Sequence, residues 1–208
     1  MKKLLILLFS LFLLSPLSVF ADDISDFQIE GISIGDSLLD YMTEDEILKE
    51  IENNRDRYPY LKESYEYVQI NLYQNFPTYD SLIFFIKNSS SNQYVTDKNE
   101  KYTIRYIAGN IDFINDFEGC VKERDEISES LSSMFSNTLK TKGIGEHPSD
   151  PSGDSIMDAV YYTFDSGAEI DVFCDNFEET FRTKMNWNEG LTISVSSPET
   201  TSWLQDYK

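Results

Sequence analysis

The chain has 208 residues, with 17 Lys plus Arg against 37 Asp plus Glu, one His, two Cys, and 13 Tyr, 14 Phe and 2 Trp. Those counts exclude a collagenous, coiled-coil or disulfide-dense miniprotein, and the aromatic load argues against wholesale disorder. A formal charge of −20 also opposes nucleic acid and anionic membranes as partners, because both are met by basic groups on a protein surface.

The chain opens with Lys2-Lys3, an apolar run from Leu4 to Leu14, a Ser15-Pro16 break and Val19-Phe20-Ala21 before Asp22-Asp23. This pattern predicts a signal peptide over 1–21, cleaved after Ala21, since eleven apolar residues fall short of the about 20 that a spanning helix needs. No Cys follows the cleavage site and no paired Arg precedes the apolar run, so neither lipid anchoring nor twin-arginine export is expected. Residues 22–208 are then expected as a single α+β domain, without a membrane anchor, in the periplasm or outside the cell. Loss of Lys2 and Lys3 takes its charge from −20 to −22.

After cleavage, Phe27, Ile29, Ile32 and Ile34 alternate around Gly31, which predicts a short extended piece and a turn. Asp36 or Ser37 can cap a helical turn that buries Leu38, Leu39 and Tyr41. Thr43-Glu44-Asp45-Glu46 is a capping box, and the helix it opens places Ile47, Leu48 and Ile51 on one face and ends near Asn53-Asn54. The run Gly31-Ile32-Ser33-Ile34-Gly35-Asp36-Ser37 before a helix resembles the start of uncharacterised exported proteins of marine alphaproteobacteria. More distantly, it is similar to the G-[MI]-x-x-G-x-S/T opening of small BLIP-like outer-membrane-assembly lipoproteins, whose lipid-bearing Cys this chain lacks. The resemblance implies an α+β exported module and assigns no functional residue.

Six of the 13 Tyr fall in the 22 residues from Tyr58 to Tyr79. They could line an aromatic or carbohydrate platform, but Val68, Ile70 and Leu72 alternate there, and a strand with Tyr neighbours is the favoured reading. Leu82 to Lys87 reads as a further strand, followed by the polar Asn88-Ser89-Ser90, which fits a glycosylation acceptor. Residues 93–96 and 101–108 pair as a hairpin, and Gly109-Asn110 is expected to turn the chain into 111–114, completing a four-strand meander.

From Glu118 to Lys140, Cys120, Val121, Arg124, Ile127, Leu131, Met134, Phe135 and Leu139 recur at helical spacing, predicting one long central helix stopped at Gly143. Gly143 to Asp154 reads as a loop. Ala159 to Phe164 and Ala168 to Cys174 flank Asp165-Ser166-Gly167 as a hairpin, with Ile170, Val172 and Cys174 on one face and Glu169, Asp171 and Asp175 on the solvated one. Leu191 to Val195 is a last strand, and Ser197-Pro198 starts a terminal helix carrying Trp203, Leu204 and Tyr207. The fold class expected is α+β, with antiparallel β-meanders packed on one long central helix behind a short N-terminal helical segment.

Cys120 and Cys174, with 53 residues between them, are expected to form a disulfide in an oxidising compartment. Two buried thiols, or a redox pair, are the alternatives. Closing the loop would stabilise by about 4 kcal/mol on the chain-entropy argument.

Chemistry is harder to find. There is no H-E-x-x-H, G-x-S-x-G, Walker loop or post-strand G-x-G-x-x-G, and one His cannot supply a clustered zinc site. His147, in a Gly/Pro loop, could act as a base but has no recognisable orienting partner. Asp150-Pro151-Ser152-Gly153-Asp154 looks like half of a calcium loop without its closing Glu. Glu169 and Asp171 could form an acid/base pair for glycoside cleavage, though alternating acids usually mark a solvated strand face. No catalytic, cofactor or metal residue is assigned and no cofactor is expected. The preferred expectation is a non-catalytic exported module that binds a small molecule or an envelope protein. The alternative is a carboxylate-dependent hydrolase, which would need two acids facing each other across a pocket about 5–10 Å apart.

Overall fold

A computed structural model describes residues 24, 27–54, 67–73, 76–87 and 102–206. The expected signal peptide, Tyr58, Tyr60 and Tyr65, the Asn88-Ser89-Ser90 acceptor, strand 93–96 and Tyr207 lie outside the described residues. Within them the chain is α+β, with one antiparallel sheet of seven strands and four helices.

The first half begins with Ser37, whose hydroxyl accepts from the Leu39 amide and caps a 3₁₀ turn, Leu38–Asp40. Leu38 is buried there, while Tyr41 turns outward and donates to Asp36. Helix α1, Glu44–Asn54, is opened by the expected capping box: Thr43 N and Oγ1 donate to Glu46 Oε2 at 2.9 and 2.6 Å. Ile47 and Ile51 are its buried face; Leu48 is exposed, one step outside the apolar stripe. Strands β1 (Tyr67–Leu72), β2 (Ser81–Lys87) and β3 (Ile104–Asp112) follow as a meander. Gly109-Asn110 does not turn the chain as expected. Strand β3 runs through it, because the bare Gly109 backbone is the surface on which the Tyr79 ring packs and a Cβ would collide with that ring.

The second half is helix α2, Phe117–Met134, then strands β4 (Leu139–Glu146), β5 (Ile156–Thr163) and β6 (Glu169–Asn176), helix α3 (Glu179–Met185), strand β7 (Gly190–Ser196) and helix α4 (Pro198–Asp206). The long central helix is not found. The longest helix among the described residues, α2, has 18 residues and stops where Phe135 turns inward, its ring 6.1 Å from Phe27 and 5.3 Å from Phe164. Residues 139–146 then form an exposed edge strand paired only with β5, so Gly143 and Gly145, expected in a loop, sit in a ladder. The hairpin around Asp165-Ser166-Gly167 and the last strand stand as expected.

Sheet order is β1-β2-β3-β7-β6-β5-β4, so the two meanders join edge to edge through β3 and β7. Each half is therefore a helix followed by a meander. One face of the sheet is covered by α1 and α2 over the main apolar core. Two devices fasten α2 to that face. Cys120 and Cys174 are disulfide-bonded, with Cα atoms 6.0 Å apart, as expected from the sequence. One turn on, the fully buried Arg124 forms an ion pair with Asp158 of β5, and its Nη2 reaches Asp125 Oδ1 at 2.8 Å. Tyr162 completes the seam by donating to the Ser128 carbonyl at 2.6 Å.

Candidate functional site

Strand alternation puts a different set of side chains on the other face. Register aligns Asn71 and Gln69 of β1, Ser81 and Ile83 of β2, Ala108 and Asn110 of β3, Thr192 and Ser194 of β7, and Asp171 and Phe173 of β6. At one end of this face α4 lays Trp203 against Tyr67 and Phe85, with ring centroids 4.7 and 5.9 Å apart. At the other end residues 177–189 and the loop after β4 rise over it. Between them lies a groove of about 580 Å³.

Its floor is a hydrogen-bonded row of amides and hydroxyls. Thr192 Oγ1 donates to Asn110 Oδ1 at 2.8 Å, Asn110 Nδ2 to Ser81 Oγ at 3.2 Å, and Gln69 Nε2 to Asn71 Oδ1 at 2.8 Å. One wall is aromatic: Phe177 stands 4.9 Å from the His147 ring and 5.4 Å from Trp187. Phe181 backs Trp187 at 5.6 Å. Tyr73 is exposed at the rim.

Among the described residues Asp112, Asp175 and Glu189 are the acids lining the groove, and no Lys or Arg lines it. Glu189 is accounted for by the Asn115 amide at 2.9 Å and Arg182 Nε at 3.6 Å. The other two flank one residue: Asp112 and Asp175 are the register partners of Gly190 on its two sides. Two strand spacings separate their Cα atoms by about 10 Å. Gly190 cannot be replaced by a larger residue without running a Cβ into the Ile111 carbonyl of the neighbouring strand, so this position between the two aspartates carries no side chain.

Asp112 Oδ2 accepts from Asn188 Nδ2 at 2.9 Å; partial burial raises its pKa, and nearby Asp80 adds to the shift. Asp175 keeps only 13% of its side-chain surface in solvent, and its Oδ1 is sealed from water without a hydrogen-bond partner. Burial pushes its pKa up to about 7. The sequence placed it on the solvated face with Glu169 and Asp171; the face is right, but residues 177–189 and the His147 loop roof its end.

His147 faces it, with Nε2 3.7 Å from Asp175 Oδ1. Its Nδ1 accepts from the Ser149 amide at 3.2 Å, which leaves the proton on Nε2, facing the carboxyl. Burial lowers the His147 pKa, with Asp150 pulling the other way. Burial thus drives both partners toward their neutral forms, and 3.7 Å is longer than a hydrogen bond, so the contact is not a formed charge-assisted pair.

The other expected candidates fall elsewhere. Asp150 is saturated by its own loop: it accepts from Ser152 N and Oγ and from Ser155 N and Oγ at 2.6–3.1 Å, and these bonds, Ser155's hydroxyl first, hold its pKa down to about 2. A carboxylate ringed by donors is a loop staple, not a cation ligand. Asp154 is exposed. Glu169 accepts from Thr163 and Asp171 from Ser194, at 3.0 and 3.3 Å. The described part of the Tyr-rich segment divides: Tyr67 is buried under Trp203, Tyr79 lies on Gly109, and Tyr73 lines the groove. Among the described residues no three His, Cys, Asp or Glu side chains gather in a way that could hold a metal ion.

Compared with known proteins, the chain matches no family model, no curated protein and no solved structure.

The residues that build this site and were not singled out in the sequence are Asp112, Phe173, Phe177, Trp187, Asn188 and Gly190. The aromatics at 173, 177, 181 and 187 among acids and amides were the available signal.

Proposed function

We propose that this protein is an exported, non-catalytic binding module that takes a small molecule in the groove on the open face of its sheet. The single observation that carries the reading is the groove itself, about 580 Å³, with a polar, internally bonded floor and an aromatic wall, the usual make-up of a small-molecule site. Export is supported by the leading basic and apolar segment and by the Cys120–Cys174 disulfide, which suits the periplasm or the exterior. No helix of the described residues is long and apolar enough to cross a membrane.

A second reading, the carboxylate-dependent hydrolase, draws on Asp175, whose raised pKa would suit a general acid. Two features favour binding. Asp112 and Asp175 are neighbours along one row of one face instead of opposed across a cleft, and burial shifts both pKa values upward, so no acid/base split arises.

The test is thermal-shift screening of the purified, oxidised protein against metals, sugars, amines and amino acids, repeated with Thr192→Trp, which fills the floor. The reading expects one ligand class to raise Tm in the wild type only, with no turnover. Conversion of the ligand to product would install the hydrolase reading instead, and a flat screen would remove the binding module.

A further inference from the structure

The groove is charge-unbalanced in a way that specifies its occupant. Two carboxyl groups, Asp112 and Asp175, stand on either side of a residue that can carry no side chain, and among the described residues no Lys or Arg lines the groove they share with the aromatic wall, His147 being its one basic side chain. A buried carboxylate without a cation is costly in the folded protein, and among the described residues the Asp175 Oδ1 has no hydrogen-bond partner, with His147 Nε2 standing 3.7 Å away. Phe173, Phe177 and Trp187 line the same groove. Carboxylate plus aromatic is the pairing that recognises an organic cation, through a charge-assisted hydrogen bond on one side and cation–π attraction on the other. A bare metal ion wants several oxygens in one shell, which two acids about 10 Å apart at Cα do not provide.

From this geometry we infer that the ligand is an organic ammonium ion, an amine-bearing small molecule whose cationic nitrogen sits over Gly190 between Asp112 and Asp175 with its carbon portion against the Phe173, Phe177 and Trp187 wall. The inference rests on the groove being a binding site. It adds the chemical class: the acidic surface of the whole chain concentrates cations by long-range attraction, and the two carboxyl groups select those with an apolar body. The upward shift of Asp175 agrees, since a cation bound there would stabilise the ionised carboxylate that burial disfavours.

The experiment is calorimetric titration at pH 8 of the full, oxidised protein with butylamine, 1,4-diaminobutane and choline, against butanol and 1,4-butanediol as neutral matches, butyrate as the anion, and calcium and zinc chlorides as the metal arms. The same series is run on Asp175→Asn, Asp112→Asn and Thr192→Trp. The expected result is heat from the amines alone, weakened about tenfold or more by either Asp→Asn change and abolished by Thr192→Trp. Amine affinity in the wild type should also rise as pH passes through 7, a readout that needs no variant. Binding of the neutral compounds or butyrate that Thr192→Trp abolishes would overturn the ammonium assignment while leaving the groove a binding site. Metal binding lost in Asp175→Asn, or amine binding indifferent to both Asp→Asn changes, would overturn it too. Absence of binding by every compound would count against both the groove reading and this inference.

Discussion

Two aspartates on adjacent strands divide the molecule. Asp158 of β5 and Asp175 of β6 are one register step apart, yet they point to opposite faces of the sheet, because side chains alternate. Asp158 meets the buried guanidinium of Arg124 under α2, beside the Cys120–Cys174 bond. Asp175 meets the His147 imidazole at 3.7 Å in a groove that no Lys or Arg of the described residues lines. One face uses its buried charge to hold a helix down, and the other leaves a buried carboxyl oxygen without a hydrogen-bond partner at the edge of a groove. The comparison teaches that burial of an acid is not a functional sign by itself; burial without a partner, next to open space, is.

The covered face should be the costly one to disturb. Arg124→Ala strands Asp158 without its cation and is expected to destabilise by about 3–5 kcal/mol in denaturant unfolding. Arg124→Met combined with Asp158→Leu should recover much of that loss, and a double variant as unstable as the single would show that the pair is not the reason. Reduction of the disulfide, or Cys120→Ser with Cys174→Ser, should cost about 2–4 kcal/mol, read as a drop in Tm on adding reductant. An unchanged Tm would remove the bond from the account of this face.

Acid should also act on the Asp150 loop. Its folded pKa, about 2, lies below the unfolded value near 3.9, so the contribution is full above the unfolded value and is lost as pH falls through 2. Ser155→Ala should bring that acid limb to higher pH. Smallest of all, Tyr73→Ala at the exposed rim should change stability by less than about 0.5 kcal/mol. It should still weaken ligand binding; a rim residue that altered stability and left binding alone would reverse the comparison.

The local rules were readable from the chain. Thr43 and Glu46 announced α1, Asp165-Ser166-Gly167 announced the β5–β6 turn, and Ile170, Val172 and Cys174 announced the covered face with its disulfide. What misled was continuation. The apolar spacing past Met134 looked helical, but Phe135 is taken by Phe27 and Phe164, and the residues after it pair with β5. Gly109 looked like a turn because the ring that uses its bare backbone, Tyr79, is thirty residues away in the chain. The groove escaped for a related reason. Alternation tells which side of β6 Asp175 occupies, but whether that side is roofed depends on where residues 177–189 and the His147 loop fold back, a non-local fact with no periodicity to announce it.

The central claim, that Asp175 is held buried and uncompensated for a ligand, is tested most directly by melting the wild type and Asp175→Asn in parallel from pH 4 to 9. The folded pKa, about 7, lies above the unfolded value near 3.9, so the wild type should carry this contribution fully below pH 4 and lose it as pH rises through 7. Asp175→Asn should lack that decline and be the more stable protein at pH 8. Parallel curves, or an Asp175→Asn protein that is less stable at pH 8, would contradict it.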